Sequence, residues 1–215
     1  MYKCMRARPL RSGSVSGHSS PLPHRNCATF ADDGETAYAG SSGRRMLTMV
    51  DPVDAAELLI ALVRENEDIA NHGDGCDEAA LAVVEDQLGR PLPPSYRRLI
   101  EEFGTWDLAG QEFLGVYRGE APGGAVLGSG VETLVARAQY GLPADLVITA
   151  LDGAGGLVVL DAAAPWGRGE YPVLGWTPGT TGRDLPRLAD DFGNYALWAS
   201  RRAVARRRGL APSDL

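Results

Sequence analysis

From Val84 to Trp106 the chain reads VEDQLGRPLPPSYRRLIEEFGTW, and few backbone paths satisfy that order of residues. Leu81, Val84 and Leu88 recur at three- and four-residue spacing, which predicts one buried face of a helix that Asp77 caps. Gly89 follows at once and is suited to the left-handed turn that ends a helix. Pro91, Pro93 and Pro94 then forbid continuation, because proline lacks an N–H and fixes φ near −65°. Pro94 suits the first position of a second helix, whose Tyr96, Leu99, Ile100 and Phe103 share one face and which Gly104 stops. Helix, rigid corner, helix is the only simple reading.

Written as a pattern, the corner is E-x-x-L-G-x-x-L-P-x-S-Y-R-x-L-x-x-x-F-G. It resembles the SUKH superfamily, the bacterial immunity proteins related to the yeast Smi and Knr cell-wall regulators. The resemblance extends over roughly residues 51 to 200, through an apolar hairpin with a Gly-rich tip (Leu146 to Leu160), a Pro-Val-Leu-Gly-Trp strand (Pro172 to Trp176) and the Asp191-Phe192 helix start. Gly104-Thr105-Trp106 stands where members of the family carry an Asn-Gly-Gly-like turn. The resemblance implies a non-enzymatic, cytoplasmic protein that neutralises a cognate toxin, often a nuclease, by covering its active surface.

The order of elements agrees with such a domain. Asp51-Pro52 opens a helix with Val53, Ala56, Ile60 and Val63 on its buried face, expected to end near Ala70, before a polar loop from Asn71 to Gly75. Gln111 to Tyr117 suggests one short strand, and Ser129 with Glu132 forms a capping box ahead of a short helix ended by Gly141. Leu146–Leu151 and Leu157–Leu160 form a hairpin, Tyr171 to Trp176 a further strand, and Leu188, Phe192, Tyr195, Ala196 and Ala199 mark a last helix. Helices first and last with hairpin-linked strands between them predict a single α+β domain, a mainly antiparallel sheet with helices packed on one face, SUKH-like. The expected boundaries are 49–208, preceded by residues 1–48 as a disordered extension or a mis-assigned start (Met46 or Met49), and followed by a tail, 209–215. Residues 1–45 are rich in Ser, Gly, Pro and Arg and have too little apolar surface to fold. Their basic start at Lys3, Arg6, Arg8 and Arg11 has no apolar run behind it, as a secretion signal requires.

Charge is divided along the chain: residues 1–49 carry +4, residues 50–200 carry −15 and residues 201–215 carry +4. A body of −15 repels nucleic acid, whose affinity for proteins rests on phosphate neutralisation by Lys and Arg, and steers basic proteins inward. Solubility alone accounts for such acidity equally well. The five arginines from Arg201 to Arg208 sit where cations complement a helix C-terminus. Three cysteines, Cys4, Cys27 and Cys76, make no disulfide framework, which fits the cytoplasm, and no apolar run reaches the ~20 residues of a membrane span.

Catalytic patterns fare poorly. Gly153-Ala154-Gly155-Gly156 precedes a strand, whereas a phosphate cradle feeds a helix. His72, Asp74, Cys76 and Asp77 match no structural zinc spacing, and His18 and His24 lie in the N-terminal segment. No GxSxG elbow exists, and the adjacent pairs Glu101-Glu102 and Asp190-Asp191 diverge around their helices. No cofactor or metal is expected. The expected contact face is Glu101, Glu102, Trp106, Asp107, Glu112 and Asp152, where carboxylates attract a basic toxin and a tryptophan anchors it; core-edge capping is the other reading for Trp106 and for Trp166. A scaffold without a toxin, or a small-ligand or enzymatic domain with a cleft beside the sheet, remain as further readings, and the oligomeric state is left open.

Overall fold

The structure, a computed structural model, describes residues 50–119, 124–153, 155–180 and 184–211. The expected N-terminal extension, both alternative starts, Cys4, Cys27, His18 and His24 lie outside the described residues, as do 212–215 of the tail. Helix α1 (Pro52–Glu65) begins where proline predicts, and the Asp51 carboxylate accepts from the Val53 N–H at 3.0 Å. It buries Ala55, Ala56, Leu59, Ile60 and Val63. It stops short of Ala70, because Asn66 turns its side chain back onto the Leu62 carbonyl and closes the helix. The expected loop after it instead begins with β1 (Ala70–His72), drawn into pairing by its neighbour strand.

The corner forms as its sequence predicts. Asp77 caps α2 (Glu78–Leu88), Gly89 adopts φ 68°, and α3 (Pro94–Phe103) buries Tyr96, Leu99, Ile100 and Phe103 before Gly104 at φ 66°. Beyond it the chain lays down β2 (Trp106–Leu108), β3 (Gln111–Phe113), β4 (Val116–Arg118), β5 (Val126–Gly128), α4 (Ser129–Tyr140), β6 (Leu146–Leu151), β7 (Leu157–Asp161), β8 (Val173–Trp176), β9 (Arg187–Ala189) and α5 (Phe192–Arg208). Seven strands form one antiparallel sheet in the order β1-β2-β3-β6-β7-β8-β9, and β4 pairs with β5 apart from it.

The single strand expected over Gln111 to Tyr117 is therefore two strands in two sheets. The break is at Gly115, whose backbone crosses directly over the end of α3: a Cβ there would lie 1.6 Å from the Gly104 carbonyl oxygen. The same crossing lets Val116 N–H donate to that oxygen at 2.7 Å. Gly115→Ala must push two backbones apart, and we expect a loss of about 1–3 kcal/mol in urea unfolding. A variant as stable as the parent would mean the crossing is not close.

Alternate side chains of the sheet feed two clusters. Val147 and Ala150 of β6, Val158 and Leu160 of β7 and Val173 of β8 join α1, α3 and α5 in the main core. Leu146, Ile148, Val159 and Trp176 point to the opposite face and meet Ala136 of α4. The α+β class and the antiparallel sheet are as expected, but the helices do not all lie on one face. The reason is the edge of β6, which β3 meets only at Phe113–Ala150. Helix α4 seals the remainder: Ser129 Oγ donates to the Ile148 carbonyl, Ile148 N–H donates to Thr133 Oγ1 at 3.0 Å, and Arg137 donates to the Leu146 carbonyl at 3.3 Å. Residues 129, 133 and 137 lie four apart on one helix face, so a row of side chains replaces a missing strand. Ser129 is consequently no N-cap; Gly128 takes that position at φ 103° with no side-chain bond.

Candidate functional site

The acidic residues proposed from sequence separate into two groups with different electrostatics. Glu101 and Glu102 lie on the outer side of α3 within an arginine lattice. Arg97 pairs with Glu78, with Glu85 at 3.2 Å and with Glu101 at 3.1 Å; Arg98 pairs with Glu57 at 2.6 Å and Glu102 at 3.0 Å; Arg64 also reaches Glu102. Burial opposes ionisation of Glu102, but bonds from Arg98 and Arg64 outweigh it and hold the carboxyl below its usual range. Their charge is largely spent inside the molecule.

Asp107 and Glu112 are placed differently. They face each other across the β2–β3 pair, offset by one residue from the inward-facing Trp106–Phe113 pair. Period-two alternation therefore puts both on the sheet face opposite the main core, together with Leu114 and Leu151. The Asp107 carboxylate accepts from Gly110 N–H at 3.2 Å, which tightens the β2–β3 turn. No cation pairs with Asp107, Glu112 or Glu132 among the described residues. Asp152 stands at the β6–β7 turn, where its carboxylate accepts from Gly156 N–H at 2.8 Å and its charge adds to burial in raising the Tyr195 hydroxyl.

Trp106 does not belong to such a surface. It is 2% exposed, stacks on Phe113 at 5.0 Å and packs edge-on to Phe192, so the core-edge reading holds and the anchor reading is corrected. The two-residue bend Gly104-Thr105 places it on the inward side of β2, a position that helix periodicity could not reveal.

Beside Glu112 and Glu132, sequence reasoning missed an open groove of about 230 Å³ between α4 and the second sheet face. Leu114, Val135, Tyr140, Ile148, Leu151 and Leu157 line it. Val135, Tyr140 and Leu151 are exposed. The hairpin Leu146–Leu160 was legible, but not which of its side chains lack a cover.

A second recess, about 210 Å³, opens where three helices start, between Asp51-Pro52, Pro94 and the turn from Trp166 to Glu170. Trp166 is 39% exposed and donates its indole N–H to the Asp190 carbonyl, which fixes the turn to the start of α5. Glu170, 3% exposed, accepts from Ser95 N–H and Ser95 Oγ, both at 2.8 Å. Asp191 caps α5 through Asn194 N–H. Each helix start thus has its own carboxylate, and the arrangement is structural. Among the described residues no three His, Cys, Asp or Glu side chains gather as a metal site, and the Gly153–Gly156 loop joins two strands of a hairpin. No described helix is long and apolar enough to cross a membrane.

The α+β domain thus leaves carboxylates and an apolar groove side by side on one sheet face. The chain belongs to the SMI1-KNR4 cell-wall family: the family model SUKH_6, so described, matches residues 78–195, more than half of the chain. No curated protein matches it. The matched span runs from the first residue of α2 to Tyr195 in α5, and so contains the corner, the whole sheet from β2 onward and the groove.

Proposed function

We propose that this domain is an immunity-type protein that binds and neutralises a basic toxin, often a nuclease in this superfamily, with the second face of its sheet. The observation that carries the reading is the set Asp107, Glu112 and Glu132, carboxylates without a cationic partner among the described residues, flanking an apolar groove. Unpaired carboxylates attract a cationic partner and raise its on-rate, while apolar contact in the groove slows its release. Asp152, at the adjacent hairpin turn, extends the acidic rim. Glu101 and Glu102 contribute less, since a partner must first compete with Arg64, Arg97 and Arg98 for them.

The test is titration against a basic toxin chosen from the products of neighbouring genes. Replacing Asp107, Glu112 and Glu132 by lysine is expected to lower the association rate about tenfold or more at low salt, with a smaller effect at high salt. Unchanged kinetics would remove the sheet face from the proposal. A loss seen only with Glu101→Lys and Glu102→Lys would move the contact surface to α3.

A further inference from the structure

The last helix carries a surface that complements the groove. Trp198 is 45% exposed on α5, and the Arg202 guanidinium lies over its ring, 5.0 Å from the centroid. Arg206 follows four residues later, so indole and two guanidinium groups form a stripe along one side of the helix. Arg201, Arg202, Arg206 and Arg207 form no ion pair among the described residues, whereas Arg208 is held by Asn66 at 2.8 Å and Asp68 at 2.9 Å. The helix-dipole reading suits Arg206 to Arg208 in the last turn but gives no role to Trp198, which lies two turns earlier.

An aromatic side chain flanked by arginines is the residue set most enriched in interface hot spots, and it needs an apolar recess with acidic walls. The second sheet face offers that recess: about 230 Å³ between Val135, Tyr140, Leu151 and Leu157, with Glu132 in its wall and Glu112 beside Leu151. Phe192 and Tyr195 hold α5 against the opposite face, so Trp198 cannot reach the groove of its own molecule. We infer that the Trp198–Arg202–Arg206 stripe of one molecule docks in the groove of a second copy, giving head-to-tail self-association. Because the two surfaces differ, the contact is heterologous and grows with concentration unless its rotation happens to close a ring. A bound partner on the groove would displace it. The inference shares a surface with the proposed toxin site but does not depend on it, since it is measured with no toxin present.

Sedimentation velocity on the full 215-residue chain decides the matter. In about 0.05 M salt the mass should rise above the 22.8 kDa monomer with concentration, and return toward it in about 0.5 M salt. R202E/R206E, which keeps the groove, and E112R/E132R, which keeps the stripe, should each be monomeric. Mixed in equal amounts they should associate again, because the arginine stripe of one meets the acidic groove of the other and the two charge-reversed surfaces are complementary in turn. W198A should weaken association about tenfold to thirtyfold. As a truncation of an exposed side chain, it also serves if a charge-reversed variant folds poorly. A parent chain that stays monomeric at every salt, a single-surface variant that associates like the parent, or a mixture that fails to associate would each overturn the inference.

Discussion

Phe192→Ala is expected to remove about 3–5 kcal/mol of stability, a large share of the ~5–15 kcal/mol that holds a typical domain together. Phe192 is fully buried at the first position of α5. Its ring meets Tyr96 of α3 edge-on at 4.7 Å, Phe113 of β3 at 6.0 Å and Trp106 of β2 at 6.3 Å. Three consecutive elements far from α5 in the chain are therefore joined to it through one ring, and truncation leaves a void that none can fill alone. Backbone packing prevents collapse on one side, because Gly193 already lies so close to α1 that a Cβ would sit 2.0 Å from the Pro52 carbonyl oxygen. Urea unfolding followed by tryptophan fluorescence should show a lower midpoint with an unchanged slope. Phe192→Leu, which keeps most of the volume, should cost well under half as much. A loss below about 1 kcal/mol for the alanine variant would show that the aromatic cluster is not the centre of the core.

What could be read from sequence follows the range of the interactions involved. The corner from Leu88 to Gly104 was legible because glycine and proline act on their own backbone, and the caps at Asp51, Asp77 and Asp191 act within three residues. The β6–β7 hairpin was legible because its strands are six and five residues long and mostly apolar. By contrast β1, β2, β5 and β9 have three residues each, too few to display a period, and exist because a neighbouring strand pairs with them. Ser129 has the sequence of a helix cap, yet the unpaired edge of β6 claims its hydroxyl.

The candidate surface was half legible for a related reason. Counting carboxylates identified an acidic body, but not which charges Arg64, Arg97 and Arg98 neutralise. Those pairings cross up to 41 residues of chain, the separation of Arg98 and Glu57. Asp107 and Glu112 stand out only once the β2–β3 register is known, and the groove only once α4 is seen to guard an edge and leave the adjacent face open.

Glu170 gives the sharpest test of long-range capping. Helix α3 begins after two prolines, so Pro93 at its N-cap position has no side-chain oxygen to offer. Glu170, 75 residues further on, supplies both oxygens: one accepts from Ser95 N–H, the other from the Ser95 hydroxyl, which itself accepts from Gly193 N–H at 3.1 Å. Glu170→Ala leaves two fully buried donors of Ser95 without acceptors, and a loss of about 2–4 kcal/mol is expected. The carboxylate also carries a penalty. Burial, with the charges of Asp191 and Asp51 adding to it, pushes its carboxyl above the usual glutamate range despite the two Ser95 bonds. The folded state thus holds a proton that the unfolded chain releases, so this group's contribution is complete below the ordinary glutamate value and declines as pH rises through the raised one. Glu170→Gln keeps an acceptor for Ser95 N–H and cannot ionise. Unfolding from about pH 4 to about pH 8 should therefore find it close to the parent at the acid end and progressively more stable than the parent toward neutrality. Asp191, whose carboxyl burial likewise raises, titrates in both proteins and largely cancels in the difference. A difference that shrinks with rising pH would mean that a cation outside the described residues compensates the buried charge. Equal stability of the alanine variant and the parent would show that α3 does not need its remote cap.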